Sequence, residues 1–390
     1  MSNQNQNQNQ SRIEGQQAGQ SSVAELLRQA NPQLAGLPVY QPGRPIEEVA
    51  RELGLDPTTV IKVASNENPL GPSPKAVEAM RAALGSVHLY PDGNAFYLKR
   101  RLAASLQMGT DRVVLGNGSN DILEFVGHAF LRPGAEVVAS QYCFAVYPIV
   151  THLFGAKYVE TPARDYGHDL DAMAAAITPA TRIVFVANPN NPTGTLAESG
   201  AVLRFLDKVP RNVLVVMDEA YYEFLEQPLD LLPLIRGGAY PNLLLARTFS
   251  KIYGLAGLRL GYGIGHPEVV SLLEKIRQPF NVNLLAQVGA LAALEDVEHV
   301  VRSRENNIAG LRYFDHELKR LGLEFIPSQA NFLLVRVGKG QDVFVALQKA
   351  GVIVRPMGGY KLPEWIRISI GTPAENRRCL ESLEKILRRG

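Results

Sequence analysis

The middle of the chain carries five short apolar runs, at 113–115, 136–139, 183–186, 213–217 and 243–246, each bounded by turn residues and separated from the next by a stretch of helical periodicity. Continuous apolar runs of this length suit strands buried on both faces, and the intervening helices supply the cover. The pattern predicts an α/β fold whose mainly parallel sheet is sandwiched by helices. In an open α/β sheet, ligands bind beyond the carboxyl ends of the strands, so the residues that follow each run are the ones to inspect.

At 390 residues the chain exceeds the size at which single cores stop growing, so two domains are expected. Residues 1–20 are Asn/Gln/Ser-rich and read as a disordered extension, because they cannot bury enough apolar surface to offset the entropy of ordering. Residues 21–70 alternate helical patterns, a Pro/Gly-rich stretch and a short strand at 60–64. They read as an arm that completes a smaller domain. Residues 71–295 form the large domain. Residues 296–390 open with a long charged amphipathic helix, continue through strand-like 331–335 and 366–370, and form a smaller α+β domain.

Forty basic residues against 38 acidic ones, with no run of like charge, exclude a nucleic-acid or membrane-binding tail and leave small molecules as the expected partners. Cys143 and Cys379 are too few for a disulfide framework, and no Cys/His cluster has metal-ligand spacing. The first residues lack the apolar core of a secretory signal, and no stretch approaches the roughly 18 apolar residues of a membrane span. A reduced, cytoplasmic setting is expected.

The ends of the predicted strands converge on one chemistry. Gly116-Asn117-Gly118-Ser119-Asn120-Asp121 leads into a helix whose first N–H groups would face a phosphate, although a tight turn with an N-cap accounts for the same residues. Asn188 to Gly194 is a rigid turn containing Asn191 and two prolines. The run at 213–217 ends in Asp218-Glu219-Ala220-Tyr221. A carboxylate there needs a partner, or else caps a helix. The last run leads into Thr248-Phe249-Ser250-Lys251, with Arg259 beyond, which suits a Schiff-base lysine beside a phosphate clamp. An amine for an imine, a carboxylate for a pyridinium proton, a phenol and an amide for a ring oxygen, and a phosphate cup are the demands of pyridoxal 5′-phosphate.

Taken together, Tyr90-Pro91-Asp92-Gly93, Asn191-Pro192-Thr193-Gly194, Asp218 to Tyr221 and Thr248 to Lys251 with Arg259 resemble fold-type I, class II aminotransferases. Within them the chain is similar to the histidinol-phosphate aminotransferase family, through the segment from Pro42 to Glu48, the segment from Ser65 to Pro74, and residues Arg247 to Tyr262. The resemblance runs from about Tyr40 to the C-terminus. It implies that Lys251 carries the cofactor and moves the substrate proton, and that Asp218 keeps the ring nitrogen protonated. Tyr221 and Asn191 would bond the ring oxygen, and Phe144 would stack on the ring where relatives often carry Tyr. Gly118, Ser119, Asn120, Ser250 and Arg259 would form the phosphate cup, completed by Tyr90 from a second subunit, so a homodimer with shared sites is implied.

The same resemblance makes Arg367 and Arg355 the substrate-anion arginines, with Tyr40 and Asn68 lining the pocket from the arm. The implied reactants are histidinol phosphate as amino donor and 2-oxoglutarate as acceptor, giving glutamate. An aromatic amino-acid aminotransferase and a phosphothreonine-type decarboxylase on the same scaffold are the alternative enzymes. Effector-binding parts of transcription regulators share the fold too, but the short polar N-terminus offers no DNA-binding domain. The chain departs from the pattern at Gln141-Tyr142-Cys143, where relatives often carry a proline and a hydroxyl residue. Cys143 itself reads as a small buried side chain rather than a nucleophile.

Overall fold

The computed structural model describes residues 23–37, 39 and 43–388. The predicted extension at 1–20 lies outside them. Seven strands form the main sheet: β1 (Val113–Gly116), β2 (Glu136–Ser140), β3 (Lys157–Thr161), β4 (Thr181–Ala187), β5 (Leu214–Asp218), β6 (Leu243–Thr248) and β7 (Gly261–Ile264). Their spatial order is β1-β7-β6-β5-β4-β2-β3. Every pairing is parallel except those of β7, which runs antiparallel to both neighbours.

Strand alternation explains why the runs are apolar without a break. Val215, Met217, Leu243 and Leu245 join the core on one face of the sheet, while Leu214, Val216, Leu244 and Ala246 join the core on the other. Helices close both faces. Ser199–Lys208, for instance, buries Val202, Phe205 and Leu206, and its opposite side carries charge. The carboxyl ends of β1, β2, β4, β5 and β6 therefore lie along one edge. Because β7 is reversed, Arg259 enters that edge from just before its start.

A second sheet of four antiparallel strands, β8 (Phe325–Ile326), β9 (Phe332–Arg336), β10 (Arg355–Pro356) and β11 (Trp365–Ser369), is ordered β8-β9-β11-β10. The helices Val297–Arg320 and Pro373–Leu387 pack on the face that carries Leu333, Val335, Ile366 and Ile368. Alternation sends Arg367 and Ser369 of β11 to the other face. Segment Ile61–Lys62 pairs in parallel with Val352–Ile353, and Val63 joins this second core. The chain then crosses at Ala64 to Asn66 toward the edge of the main sheet. Among the described residues, no helix is long and apolar enough to cross a membrane.

Candidate active site

A cavity of about 200 Å³ opens where the main sheet's carboxyl edge meets the face of the second sheet that carries Arg367. At its floor β5 ends in Asp218, only 5% exposed. Burial pushes this carboxyl above its ordinary range, and the opposing influences are hydrogen bonds and the nearby Lys251 charge. The Tyr147 hydroxyl donates to Oδ2 at 2.9 Å and the Ala220 N–H donates to Oδ1 at 3.2 Å. Tyr147 is itself fixed, fully buried and stacked on Phe185 with centroids 4.6 Å apart.

Beyond β6, the Lys251 ammonium donates to the Ser65 carbonyl at 3.3 Å and stands 5.7 Å from the centre of the Tyr221 ring. Burial first, and the positive charge of Arg367 next, lower its pKa to about 8. Behind this strand end Arg247 forms a buried ion pair with Glu219, Nε to Oε2 2.8 Å, with its guanidinium over the Tyr222 ring. That pair holds β5 and β6 together at the site.

The third wall is built for an anion. Helix Ser119–Phe130 starts at Gly118, which has φ +81° and supplies no side-chain cap, so the first-turn N–H groups face the cavity edge uncapped. The Arg259 guanidinium lies against Gly118, where a Cβ would stand 2.6 Å from Nη2, and its Nη1 is 3.4 Å from Ser250 Oγ. Glycine is required at 118 both for its dihedral and for this approach.

The second sheet supplies two cations. Arg355 and Arg367 are direct cross-strand partners, and both line the cavity. Arg367, 7% exposed, donates through Nη1 to Asn191 Oδ1 at 2.6 Å and through Nη2 to the Ala64 carbonyl at 2.9 Å.

The structure thus brings Lys251, Asp218 and Tyr221 into one cavity with Ser119, Asn120, Phe144, Asn191, Ser250 and Arg259. Gly118 stands behind Arg259 rather than in the wall. Asn68 is placed differently from expectation. Its amide donates to the Ile252 carbonyl at 2.7 Å and to Ser303 Oγ at 2.8 Å, so it ties the arm to the scaffold and does not line the cavity. Tyr90 is 83% exposed, stacks on Phe280 and is not in the wall of the cavity of its own chain. Tyr40 lies outside the described residues. Cys143 is buried and hydrogen-bonded to the Tyr158 hydroxyl, and burial pushes its thiol up to about 12, which leaves it inert.

Three residues at the site escaped the sequence reading. Tyr147 sits in an apolar helical stretch that reads as core, Tyr360 follows two glycines in a loop, and Asn66 lies in a segment quoted above only for its resemblance. The spacing of Tyr147 from Phe144, one helical turn, was the available signal.

The family model described as aminotransferase class I and II matches residues 58–383, and the chain belongs to that family. Pyridoxal 5′-phosphate is the cofactor of these enzymes. The chain is 55% identical over 359 residues to a histidinol-phosphate aminotransferase from Akkermansia muciniphila, an alignment covering 92% of this chain and 98% of that protein. It is also 55% identical over 354 residues to histidinol-phosphate aminotransferase 2 of Ralstonia nicotianae, covering 89% of this chain and 94% of the relative. Among solved structures, histidinol-phosphate aminotransferase from Sinorhizobium meliloti in complex with pyridoxal-5′-phosphate superposes with a TM-score of 0.84 at 30% identity, over 93% of this chain and 98% of that one.

The residues present fit the cofactor on three observations: the cradle between Gly118 and Arg259, the buried Asp218 held by two donors, and a desolvated lysine between them. Only the neutral amine of Lys251 adds to an aldehyde. The rate at which the cofactor-free protein takes up pyridoxal phosphate should therefore rise with pH around a midpoint near 8 and then level off. Arg367→Leu removes a positive neighbour, favours the charged amine, and should move that midpoint upward in stopped-flow absorbance. A midpoint near that of a free lysine, about 10.4, would contradict the electrostatic description.

Proposed function

We propose that the chain transfers the amino group of histidinol phosphate to 2-oxoglutarate, giving imidazole acetol phosphate and glutamate. The observation that carries this reading is the Arg355–Arg367 pair. Like charges directly opposite on adjacent strands repel. An anionic substrate end relieves that repulsion, and the donor's phosphate and the acceptor's carboxylates, bound in turn, provide it. The similarity to histidinol-phosphate aminotransferases at 55% identity supports the same donor.

When bound, pyridoxal phosphate supplies a ring that accepts the electrons left by departure of the substrate's Cα proton. In this reading the chain does the rest. Ser119, Asn120, Ser250 and Arg259 hold the phosphate, with the N-terminus of helix Ser119–Phe130 adding its dipole. Asp218 pairs with the ring nitrogen, and the Tyr147 hydroxyl keeps the carboxylate aimed. Phe144 covers one ring face. Lys251, its pKa lowered to about 8 by burial first of all, would take the Cα proton and return it at the neighbouring cofactor carbon. Arg367 orients the acceptor's carboxylate and Arg355 the donor's phosphate.

We also infer that two chains associate. Leu84, Val87, Leu89, Tyr90 and Tyr97 are all more than half exposed within a single short stretch, and clustered exposed apolar side chains of this kind mark interaction surfaces. Tyr90, within that stretch, is available to a second copy's phosphate cup. Sedimentation equilibrium should give twice the chain mass, and Tyr90→Phe should weaken cofactor retention. A fully active monomer would refute the shared site.

The donor is tested by adding histidinol phosphate to the holoenzyme without any oxo-acid and following the visible cofactor band. It should collapse, and phenylalanine should act far more slowly. Arg355→Leu should cost the phosphate donor about ten- to a hundredfold in kcat/KM, the equivalent of one charge-assisted hydrogen-bonded contact, and change phenylalanine turnover little. Equal turnover of phenylalanine, with Arg355→Leu silent toward histidinol phosphate, would point to the aromatic aminotransferase instead. Carbon dioxide release without an oxo-acid would indicate a decarboxylase.

A further inference from the structure

Tyr221 is 3% exposed, and its hydroxyl oxygen is met by the Asn66 side-chain amide, Nδ2 to Oη 2.9 Å. Asn66 is 1% exposed and holds φ +56°, a left-handed conformation unusual outside glycine. Three further hydrogen bonds keep it there. Its backbone N–H donates to Ser369 Oγ at 2.8 Å, the Ser369 hydroxyl donates to Asn66 Oδ1 at 2.9 Å, and Asn331 Nδ2 donates to the Asn66 carbonyl at 3.0 Å.

These bonds have a direction. Ser369 has one hydroxyl hydrogen, and it already accepts the Asn66 backbone N–H. With Oδ1 toward Ser369, that hydrogen has an acceptor, and the amide's N–H groups turn toward Tyr221. With the amide reversed, the Ser369 hydrogen would lose this acceptor in a buried site, and Oδ1 would instead draw the phenol's own proton. The network therefore selects the first arrangement, in which the Tyr221 oxygen accepts from Asn66 and its proton is left to point into the cavity beside Lys251 and Asn191.

We propose that Asn66 is a positioning residue that fixes the Tyr221 hydroxyl as a donor to the ring oxygen of the bound cofactor, with Ser369 of the second sheet setting the polarity. This inference rests on the pyridoxal-phosphate aminotransferase reading of the site. A phenol donating to the ring oxygen stabilises negative charge there, which weakens the hold on the proton shared with the adjacent lysine–cofactor nitrogen. The charged and titratable groups that face Tyr221 and Lys251 are Asp218, Arg367, Tyr360, Glu67 and Arg259, and the test leaves all of them in place.

The test is a pH titration of the visible absorption band of the holoenzyme without substrate. Asn66→Gly tolerates the dihedral and removes the amide. It should raise the midpoint by at least about half a unit, threefold in proton affinity. Asn66→Asp keeps the shape, tolerates the same dihedral and takes the phenol's proton, and should raise it by about one unit or more, tenfold. In a Tyr221→Phe background the Asn66→Gly shift should vanish, because a residue that acts through the phenol has nothing left to act on. An unmoved midpoint in both single variants, or an equal Asn66→Gly shift with and without the phenol, overturns the inference while leaving the enzyme assignment intact. Absence of any pyridoxal band in the wild-type holoenzyme would instead remove the reading on which it rests.

Discussion

A carboxylate stands at the end of a strand that is otherwise entirely apolar, and the site is organised around the cost of leaving it there. Asp218 continues Leu214, Val215, Val216 and Met217, all buried, so its charge is far from water. A buried carboxylate survives as an anion only if donors or a cation compensate for lost hydration, and a few kcal/mol depend on each. Tyr147 and the Ala220 N–H supply part of that compensation, and in the proposed reading a protonated pyridinium nitrogen would supply a full opposite charge. The sheet's parallel order serves the same site, because it gathers five strand ends at one edge.

The second sheet contributes by alternation. Ile366 and Ile368 anchor β11 in its own core, which obliges Arg367 and Ser369 to the opposite face, Arg367 into the cavity wall and Ser369 onto Asn66. Through Arg367 to Asn191 and Ala64, and through Ser369 to Asn66, this one strand is tied both to the main sheet's β4 turn and to the crossing segment. Each tie is a hydrogen bond between buried or half-buried groups, so movement of the second sheet would be felt at Asn191 and, through Asn66, at Tyr221. Lys251 lies where these ties meet, on the Ser65 carbonyl between them.

Much of this arrangement was legible in the sequence. Five of the seven main-sheet strands announced themselves as apolar runs, whereas β3 and β7 did not, and polar residues that follow those five, from Ser119 to Lys251, line the cavity because strand ends gather there. Residues that act through side-chain packing were not legible. Tyr147 looks like any core aromatic until its hydroxyl is seen to reach Asp218, 71 positions away. Asn68 carries the opposite lesson. Its amide, expected in the pocket, is consumed by Ile252 and Ser303, contacts that depend on how the arm folds back across the helix Val297–Arg320. Tyr90, 83% exposed, does not line the cavity of its own chain, so the shared site proposed for it rests on a second copy and not on this cavity.

The central claim is that the strand ends converge to place Lys251, and no other lysine, against the cofactor aldehyde. Borohydride reduction of the holoenzyme, followed by proteolysis and mass spectrometry of the peptides, tests it directly. The pyridoxyl group should be found on the peptide containing Lys251, in full yield and with no other lysine labelled. A stable label on a different lysine, or a reduced holoenzyme that releases its cofactor intact, would contradict the account.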